Sequence, residues 1–472
     1  MNRFPLLFLI SLLVHTAFAQ QLVKSDQVIG DWGGIIDPDG AKLNLIFHIK
    51  AAEDGSLAAT MDIPGQGAAD IPAKAVRLTS DSLYLDFSHV GGIKYAGKIT
   101  GPETIDGHWK QAGMSVPVPI SKGAAAAMRK PQEPQRPFPY QEKEVAVENK
   151  DAGITLAGTL TLPQGKGPHA AVILFTGSGA QDRDMSLLGH KPFLVLADHL
   201  TRQGIAVLRL DDRGAGKSGG NPTTATTKDF TSDGMAAYAF LKTQAGINPK
   251  KIGVLGISEG ANIAASVAAQ HADVAFVVLM AGGAVPGTEL LLAQNEAIFK
   301  QAVADPALLQ KLLNLRKAQF EIAATEQDVF EASKKIRQLE QEAKTRLNEQ
   351  EKAQLGLTPQ SEQALVAQLS SPWMRYYLAY DPAPALQKLK MPVLALNGSK
   401  DVQVPAAQNL PATEKALKAG GNKKYTVKEL PGLNHIFQTA TTGLHTEYAK
   451  IQETMAPVAL DTITQWVKGV VK

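Results

Sequence analysis

The residues best suited to chemistry lie far apart in the chain. Gly256-Ile257-Ser258-Glu259-Gly260 follows the apolar run 252–255 and leads into the small-residue stretch 261–270. Strand, G-x-S-x-G, helix is the layout of a nucleophile elbow. A sharp turn holds the serine hydroxyl up at the end of the strand, and the glycines remove side chains that would strike neighbouring elements. A serine hydroxyl is a weak nucleophile until a base takes its proton. In this layout an acid and then a histidine follow in chain order. Asp401 comes just past the apolar run 391–397, and His435 just past the run 425–430. Of the ten histidines, only His435 and His445 follow Asp401. Ser258, Asp401 and His435 each stand at the exit of an expected strand, so one edge of one sheet would present all three. The charge that develops on an attacked carbonyl oxygen needs two backbone N–H donors, each worth about 3 kcal/mol in the transition state. Glu259, directly after the serine, is expected to supply one. Ser178, in Thr176-Gly177-Ser178-Gly179, is expected to supply the other, with Gly179 beside it.

The elements that must position these residues follow from the patterning. Over 20–122, Leu43, Leu45, Phe47 and Ile49 alternate with Asn44 and His48, and Leu83, Leu85 and Phe87 repeat the period of two. Turn signals at Asp37-Pro38-Asp39-Gly40, Asp54-Gly55, Gly91-Gly92 and Asp106-Gly107 separate the runs. A small antiparallel β domain is expected there. Residues 123–140 contain Pro131, Pro134, Pro137 and Pro139, the composition of an extended linker. Over 141–472 the runs 170–175, 205–210, 252–255, 274–280, 393–396 and 425–430 alternate with helical stretches. That predicts an α/β domain whose mostly parallel sheet is covered on both faces. The segment 286–373 is much longer than an ordinary crossover. Val329, Ala332, Ile336, Leu339, Ala343 and Leu347 form one apolar helical stripe in it. A helical cap insertion is expected here, placed where loops at strand ends cover a site.

Composition closes off other chemistries. The 472 residues carry 48 Lys and Arg against 45 Asp and Glu, a net charge of +3, too little for a general nucleic-acid-binding field. With no cysteine, disulfides, thiolate metal sites and cysteine nucleophiles are excluded. Met1-Asn2-Arg3, the apolar run 4–18 and Ala17-Phe18-Ala19 before Gln20 read as a signal peptide, residues 1–19. The chain is therefore expected to be exported, periplasmic or secreted, with no membrane span left after cleavage. Gly214-Ala215-Gly216-Lys217-Ser218-Gly219 formally matches G-x-G-x-x-G. However, Asn221-Pro222 blocks a helix start, and no acid stands about 20 positions on for a ribose. A P-loop fails as well, because Asp211 occupies the position of its first glycine.

TGSGAQDRD at 176–184, LGHKPF at 188–193, DDRGAGKS at 211–218 and GISEG at 256–260 together resemble the α/β-hydrolase superfamily. Within it they are similar to exported bacterial serine esterases related to the serine-aminopeptidase and dienelactone-hydrolase branches. The resemblance spans 141–472. It implies the α/β-hydrolase fold, with Ser258 as nucleophile, Asp401 as acid and His435 as base. It also implies that the DDRG loop lies by the site. Many relatives have His-Gly where this chain has Thr176-Gly177. The expected reaction is cleavage of a small carboxylic ester through an acyl-enzyme, with no metal and no cofactor. A serine aminopeptidase or amidase acting on short peptides, and a non-catalytic binding protein on the same scaffold, remain as alternatives. Gly179, His190 and Arg375 are candidate substrate contacts, and the Glu259 side chain is a candidate partner for a substrate amine. Asp182, Arg183 and Asp184 are expected to pair locally. No nucleic-acid partner is expected, and the oligomeric state is left open.

Overall fold

The computed structural model describes residues 25–37, 42–52, 54–63, 68–128, 130–354 and 358–472. The leader expected at 1–19 and the turn residues Pro38, Asp39 and Gly40 lie outside them. Contacts divide the chain into two units, the first ending at Met128 and the second running to Lys472. No helix among the described residues is long and apolar enough to cross a membrane.

The first unit opens on a single turn, α1 (Ser25–Val28), followed by ten strands. These are β1 (Gly30–Ile36), β2 (Leu43–Ala51), β3 (Leu57–Ile63), β4 (Ala68–Pro72), β5 (Ala75–Leu78), β6 (Ser82–Phe87), β7 (Ile93–Gly101), β8 (Thr104–Gln111), β9 (Met114–Pro117) and β10 (Ile120–Ser121). Helix α2 (Lys122–Met128) ends the unit. The path through the sheet is β4-β3-β2-β1-β10-β8-β7-β6-β5, with β9 against β8. From β3 round to β5 the pairing is antiparallel. The sheet curls, and the Ala73 amide, between β4 and β5, donates to the Ala59 carbonyl of β3 at 2.8 Å. The alternating positions point inward as expected: Leu45, Phe47, Ile49, Leu83, Leu85 and Phe87 are buried. Phe47 meets Phe87 and Tyr95 at ring centroid distances of 5.9 and 5.1 Å. The enclosed Trp32 indole donates to the Val28 carbonyl at 2.7 Å, so its one polar atom is satisfied.

The second unit holds β11 (Gln141–Asn149), β12 (Ile154–Leu162), β13 (His169–Phe175), β14 (Ile205–Leu210), β15 (Ile247–Ile257), β16 (Val277–Met280), β17 (Val393–Gly398) and β18 (Tyr425–Leu430). Their order is β11-β12-β14-β13-β15-β16-β17-β18. The hairpin β11–β12 joins antiparallel, and every later neighbour is parallel. The helices are α3 (Pro192–Arg202), α4 (Thr227–Lys242), α5 (Glu259–Gln270), α6 (Gly287–Ala302), α7 (Pro306–Thr325), α8 (Val329–Thr345), α9 (Glu349–Gln354), α10 (Pro359–Ser370), α11 (Pro372–Ala379), α12 (Ala383–Lys388), α13 (Ala406–Ala419) and α14 (Pro457–Val470). Alternate strand residues feed two apolar layers. Ala171, Ile173 and Val254 pack with α4, α5 and α13, while Val172, Leu174 and Leu255 pack with α3 and α14. The near-continuous apolar strands are thus explained by burial on both faces.

Two expectations are modified. The proline-dense stretch is not a free tether. Lys130 Nζ donates to the Ala449 and Ile451 carbonyls at 2.8 Å, Gln132 bonds the backbone of Thr454 and Met455, and the Tyr140 hydroxyl donates to Asp198 at 3.0 Å. The helical insertion runs past 373, so that α6 to α12 all separate the adjacent strands β16 and β17. The stripe is buried only at its middle: in α8 Ala332 and Ile336 are enclosed, Leu339 and Ala343 are half-buried and Val329 is exposed, while Leu347, half-buried, lies past the end of the helix. Glu340 joins the inner face because Gln319 donates to it at 2.7 Å.

Phe47→Ala should remove about 3–5 kcal/mol from unfolding of the first unit, since a fully enclosed aromatic leaves a cavity that neighbours only partly fill; urea denaturation of the variant against the parent checks this.

Candidate functional site

β15 delivers Ser258 directly to the N-terminus of α5. Ser258 has φ 56° and ψ −123°, a left-handed conformation that costs a residue with a side chain on the order of 1–3 kcal/mol. The surroundings hold it there. Its N–H donates to the Met280 carbonyl at 2.9 Å, and its own carbonyl accepts from Ala261 at 3.0 Å. A Cβ on Gly256 would collide with the Gly260 carbonyl, and one on Gly260 with the carbonyls of Phe175 and Thr176. Both glycines are required by close backbone approach, as the motif predicts.

Asp401 and His435 come together because the loops after β17 and β18 are stitched to each other. The amides of Ser399 and Lys400 donate to the Leu430 and Leu433 carbonyls at 3.0 and 2.9 Å. His435 Nδ1 then lies 2.8 Å from Asp401 Oδ2, with both side chains buried. The other oxygen, Oδ1, accepts from the amides of Gln403 and Val404, each at 2.9 Å. A carboxylate only accepts, so this bond is made by the Nδ1–H, and Nε2 is left pointing away from Asp401. The His435 loop is braced by residues that the sequence pattern does not reveal. The enclosed Asn434 carboxamide oxygen accepts from the Ile436 and Gln438 amides, and its Nδ2 donates to Gln438 at 2.9 Å. Their only sequence signal is proximity to His435.

The loop after β13 lies against the elbow. A Cβ on Gly177 would touch Ser258 Cβ at 3.5 Å, and Gly179, with φ 88°, faces open space. Ser178 is exposed. The Thr176 hydroxyl donates to Asp212 Oδ2 at 2.6 Å, and the Gln181 amide donates to the same oxygen at 2.9 Å. Burial pushes the Asp212 carboxyl up to about 8; the two hydrogen bonds oppose this, and the charges of Glu259 and Asp233 add to it. Its neighbour Asp211 is different. Arg183 meets both Asp211 oxygens, at 3.0 and 2.9 Å. Arg213 likewise meets both oxygens of Asp233, at 2.7 and 2.8 Å. The DDRG segment is therefore an ion-paired turn. The charges of 183 and 184 pair outward, Arg183 with Asp211 and Glu144 and Asp184 with Arg209, rather than with each other.

Other expected contacts fall elsewhere. His190 is fully enclosed, with Nδ1 at 2.9 Å from the Thr454 hydroxyl and Nε2 at 2.9 Å from the Tyr448 carbonyl. Burial pushes it down to about 4. A neutral ring with both nitrogens engaged has no face for a substrate, and His190 is a strut of the fold. Arg375 binds the Glu326 and Gln327 carbonyls, closing the turn between α7 and α8. Glu259 is 1% exposed, and the Thr227 hydroxyl and the Trp373 indole donate to its carboxylate. Among the described residues no group of three or more His, Cys, Asp or Glu is arranged to hold a metal ion.

Residues 191–439 match the family described as serine aminopeptidase, S33. Esterase EstD of Thermotoga maritima is 29% identical over 220 residues, which cover 46% of this chain and 49% of the relative. An uncharacterized protein of Mycobacterium tuberculosis is 32% identical over 136 residues, covering 29% of this chain and 44% of the relative. The chain thus spans about half the length of the curated relatives it matches. Among solved structures, an esterase of Pyrococcus furiosus aligns with a TM-score of 0.43 at 15% identity, covering 73% of this chain and 98% of that one. Est1E of Butyrivibrio proteoclasticus, with ferulic acid bound, aligns with a TM-score of 0.41 at 14% identity, covering 69% and 99%.

Two outcomes follow from this geometry. Gly260→Ala should destabilise the second unit by about 1–3 kcal/mol or more, because backbone must move to admit the methyl group; chemical denaturation measures it. Between the ordinary carboxylate value of 3.8 and about 8, Asp212 is protonated in the folded chain and ionised in the unfolded one. Stability contributed by Asp212 is therefore full at low pH and is lost as pH rises toward about 8. Asp212→Asn should gain on the parent in melting temperature across that window and hold a constant margin above it.

Proposed function

The chain belongs to the serine aminopeptidase S33 family, hydrolases of the α/β-hydrolase fold, and from that premise we propose that it cleaves small carboxylic esters through an acyl-enzyme on Ser258. The observation that carries this reading is the 2.8 Å hydrogen bond between His435 Nδ1 and Asp401 Oδ2. It leaves Nε2 as the base for a hydroxyl raised on a strained elbow. In this mechanism His435 Nε2 takes the Ser258 proton as Oγ bonds to the carbonyl carbon. The amides of Glu259 and Ser178 hold the oxyanion, the first of them at the positive end of α5. As the ester C–O bond breaks, His435 returns the proton to the leaving alcohol. Water then repeats the sequence and frees the acid. Asp401 holds the imidazole in the required tautomer and favours its charged form. Every step uses groups of the chain itself. The helices α6 to α11 serve in this reading as a cap over the site. The leader supports export to the periplasm or beyond.

Esters are preferred over peptide amines for a specific reason: the Glu259 carboxylate is buried and already taken by the Thr227 hydroxyl and the Trp373 indole, which leaves no free face for an ammonium group. The relative named as an esterase supports the same preference. Turnover of short p-nitrophenyl esters should exceed that of aminoacyl p-nitroanilides; the reverse order would make the protein a peptidase. Ser258→Ala should lose several orders of magnitude in kcat with an unchanged melting temperature, and Asp401→Asn about 10⁴-fold through the wrong tautomer. A folded parent whose Ser258 takes up no fluorophosphonate would instead be a binding scaffold.

A further inference from the structure

The residue after the nucleophile carries a side chain that the mechanism above does not use. The Glu259 carboxylate is buried beneath the elbow, and burial raises its pKa. The groups that hold it are neutral donors from three different elements. The Thr227 hydroxyl, at the start of α4, donates to Oε1 at 2.6 Å. The Trp373 indole, in α11, lies 2.9 Å from both oxygens. The Ser178 hydroxyl, in the loop after β13, adds a weaker stabilising interaction from the exposed side. A carboxylate has no donor of its own, so these groups can meet it only by directing their hydrogens inward. Such charge-assisted bonds in a dry setting are short and directional. The Trp373 ring in turn stacks on Tyr377 at 5.4 Å with 22° between planes. One carboxylate thus joins the elbow, the loop bearing the second expected oxyanion donor, and the helix by which the insertion returns to the core.

We propose that Glu259 is a positioning residue: its carboxylate sets the Ser178 amide and the Trp373 ring relative to Ser258, making Trp373 the acyl-side wall of the substrate site. The inference rests on Ser258 being the nucleophile. Glu259 touches no reacting atom through its side chain, and its effect passes through Ser178 and Trp373.

The test is a kinetic cycle on p-nitrophenyl esters of short and longer acyl chains. Glu259→Gln keeps the shape but turns an N–H₂ toward an inward-pointing donor. It should lower kcat about tenfold or more for every chain length, as expected when an oxyanion donor is misplaced. Trp373→Phe keeps an aromatic ring, smaller than the indole, and loses the N–H. It should raise KM several-fold for the longer esters and leave kcat within about twofold. The double variant should be no worse in kcat/KM than Glu259→Gln alone, within about twofold, because the two act through one contact. Multiplying effects, or a Glu259→Gln kcat within about twofold of the parent, would overturn the proposal. If Glu259→Gln does not reach the parental fold by circular dichroism, Ser178→Ala decides. This exposed hydroxyl can be removed without affecting folding, and kcat must still fall at an unchanged melting temperature; an unchanged kcat overturns the proposal. Ser258→Ala in the same assay separates the two readings. If it remains active, the nucleophile assignment itself is wrong; if it is inactive while Glu259→Gln is normal, only the present inference fails.

Discussion

The architecture of the site depends on one close approach of backbone to backbone. The first turn of α5 lies against the carbonyls at the end of β13, so near that Gly260 admits no Cβ. Gly256 is pressed against the Gly260 carbonyl in the same way. This contact fixes the angle at which β15 gives way to α5. Ser258 is left with a backbone conformation that it would not adopt in an unconstrained chain. The same contact draws the end of β13, and hence Gly177 and Ser178, alongside the serine. Any larger residue at either position would separate the elements that must converge.

Electrostatics then divide the carboxylates of this region into two kinds. Asp211 and Asp233 each face an arginine through two hydrogen bonds, which secures the turn between β14 and α4. Asp212 and Glu259, closer to the serine, are held by hydroxyl, amide and indole donors instead. Burial among neutral donors leaves a carboxyl at Asp212 that resists ionisation.

The loops that carry Asp401 and His435 are organised by a separate chain of contacts. Lys130 and Gln132 hold the backbone of 449–455. Thr454 of that segment and Tyr448 just before it engage His190, and the Tyr448 hydroxyl accepts from Gln403, whose own amide donates to Asp401. The proline-dense stretch, the enclosed histidine and the Asp401 loop therefore belong to one packed region of the second unit. Residues that look like loose polar candidates in the linear chain are its struts.

What could be known in advance follows from which signals are local. The alternation in β2 and β6, the apolar parallel strands and the strand–glycine–serine–glycine–helix layout are each contained in a few neighbouring residues, because they follow from periodicity and from the steric needs of a single turn. β11 escapes such reading, since its charged face leaves no apolar run. The α8 stripe is misjudged at Val329, where burial depends on helices distant in the chain. His190, Arg375 and the Glu259 side chain show the limit most clearly. Their residue types suit a substrate as well as a strut, and the choice rests on partners 32 to 264 positions away. The amino-acid order alone determined the apolar strands, the glycine-flanked elbow and the order of serine, acid and histidine. Only the tertiary structure decided which polar groups are enclosed and which carboxylates go without a cation, because desolvation and hydrogen-bond geometry are properties of packed neighbours and not of adjacent residues.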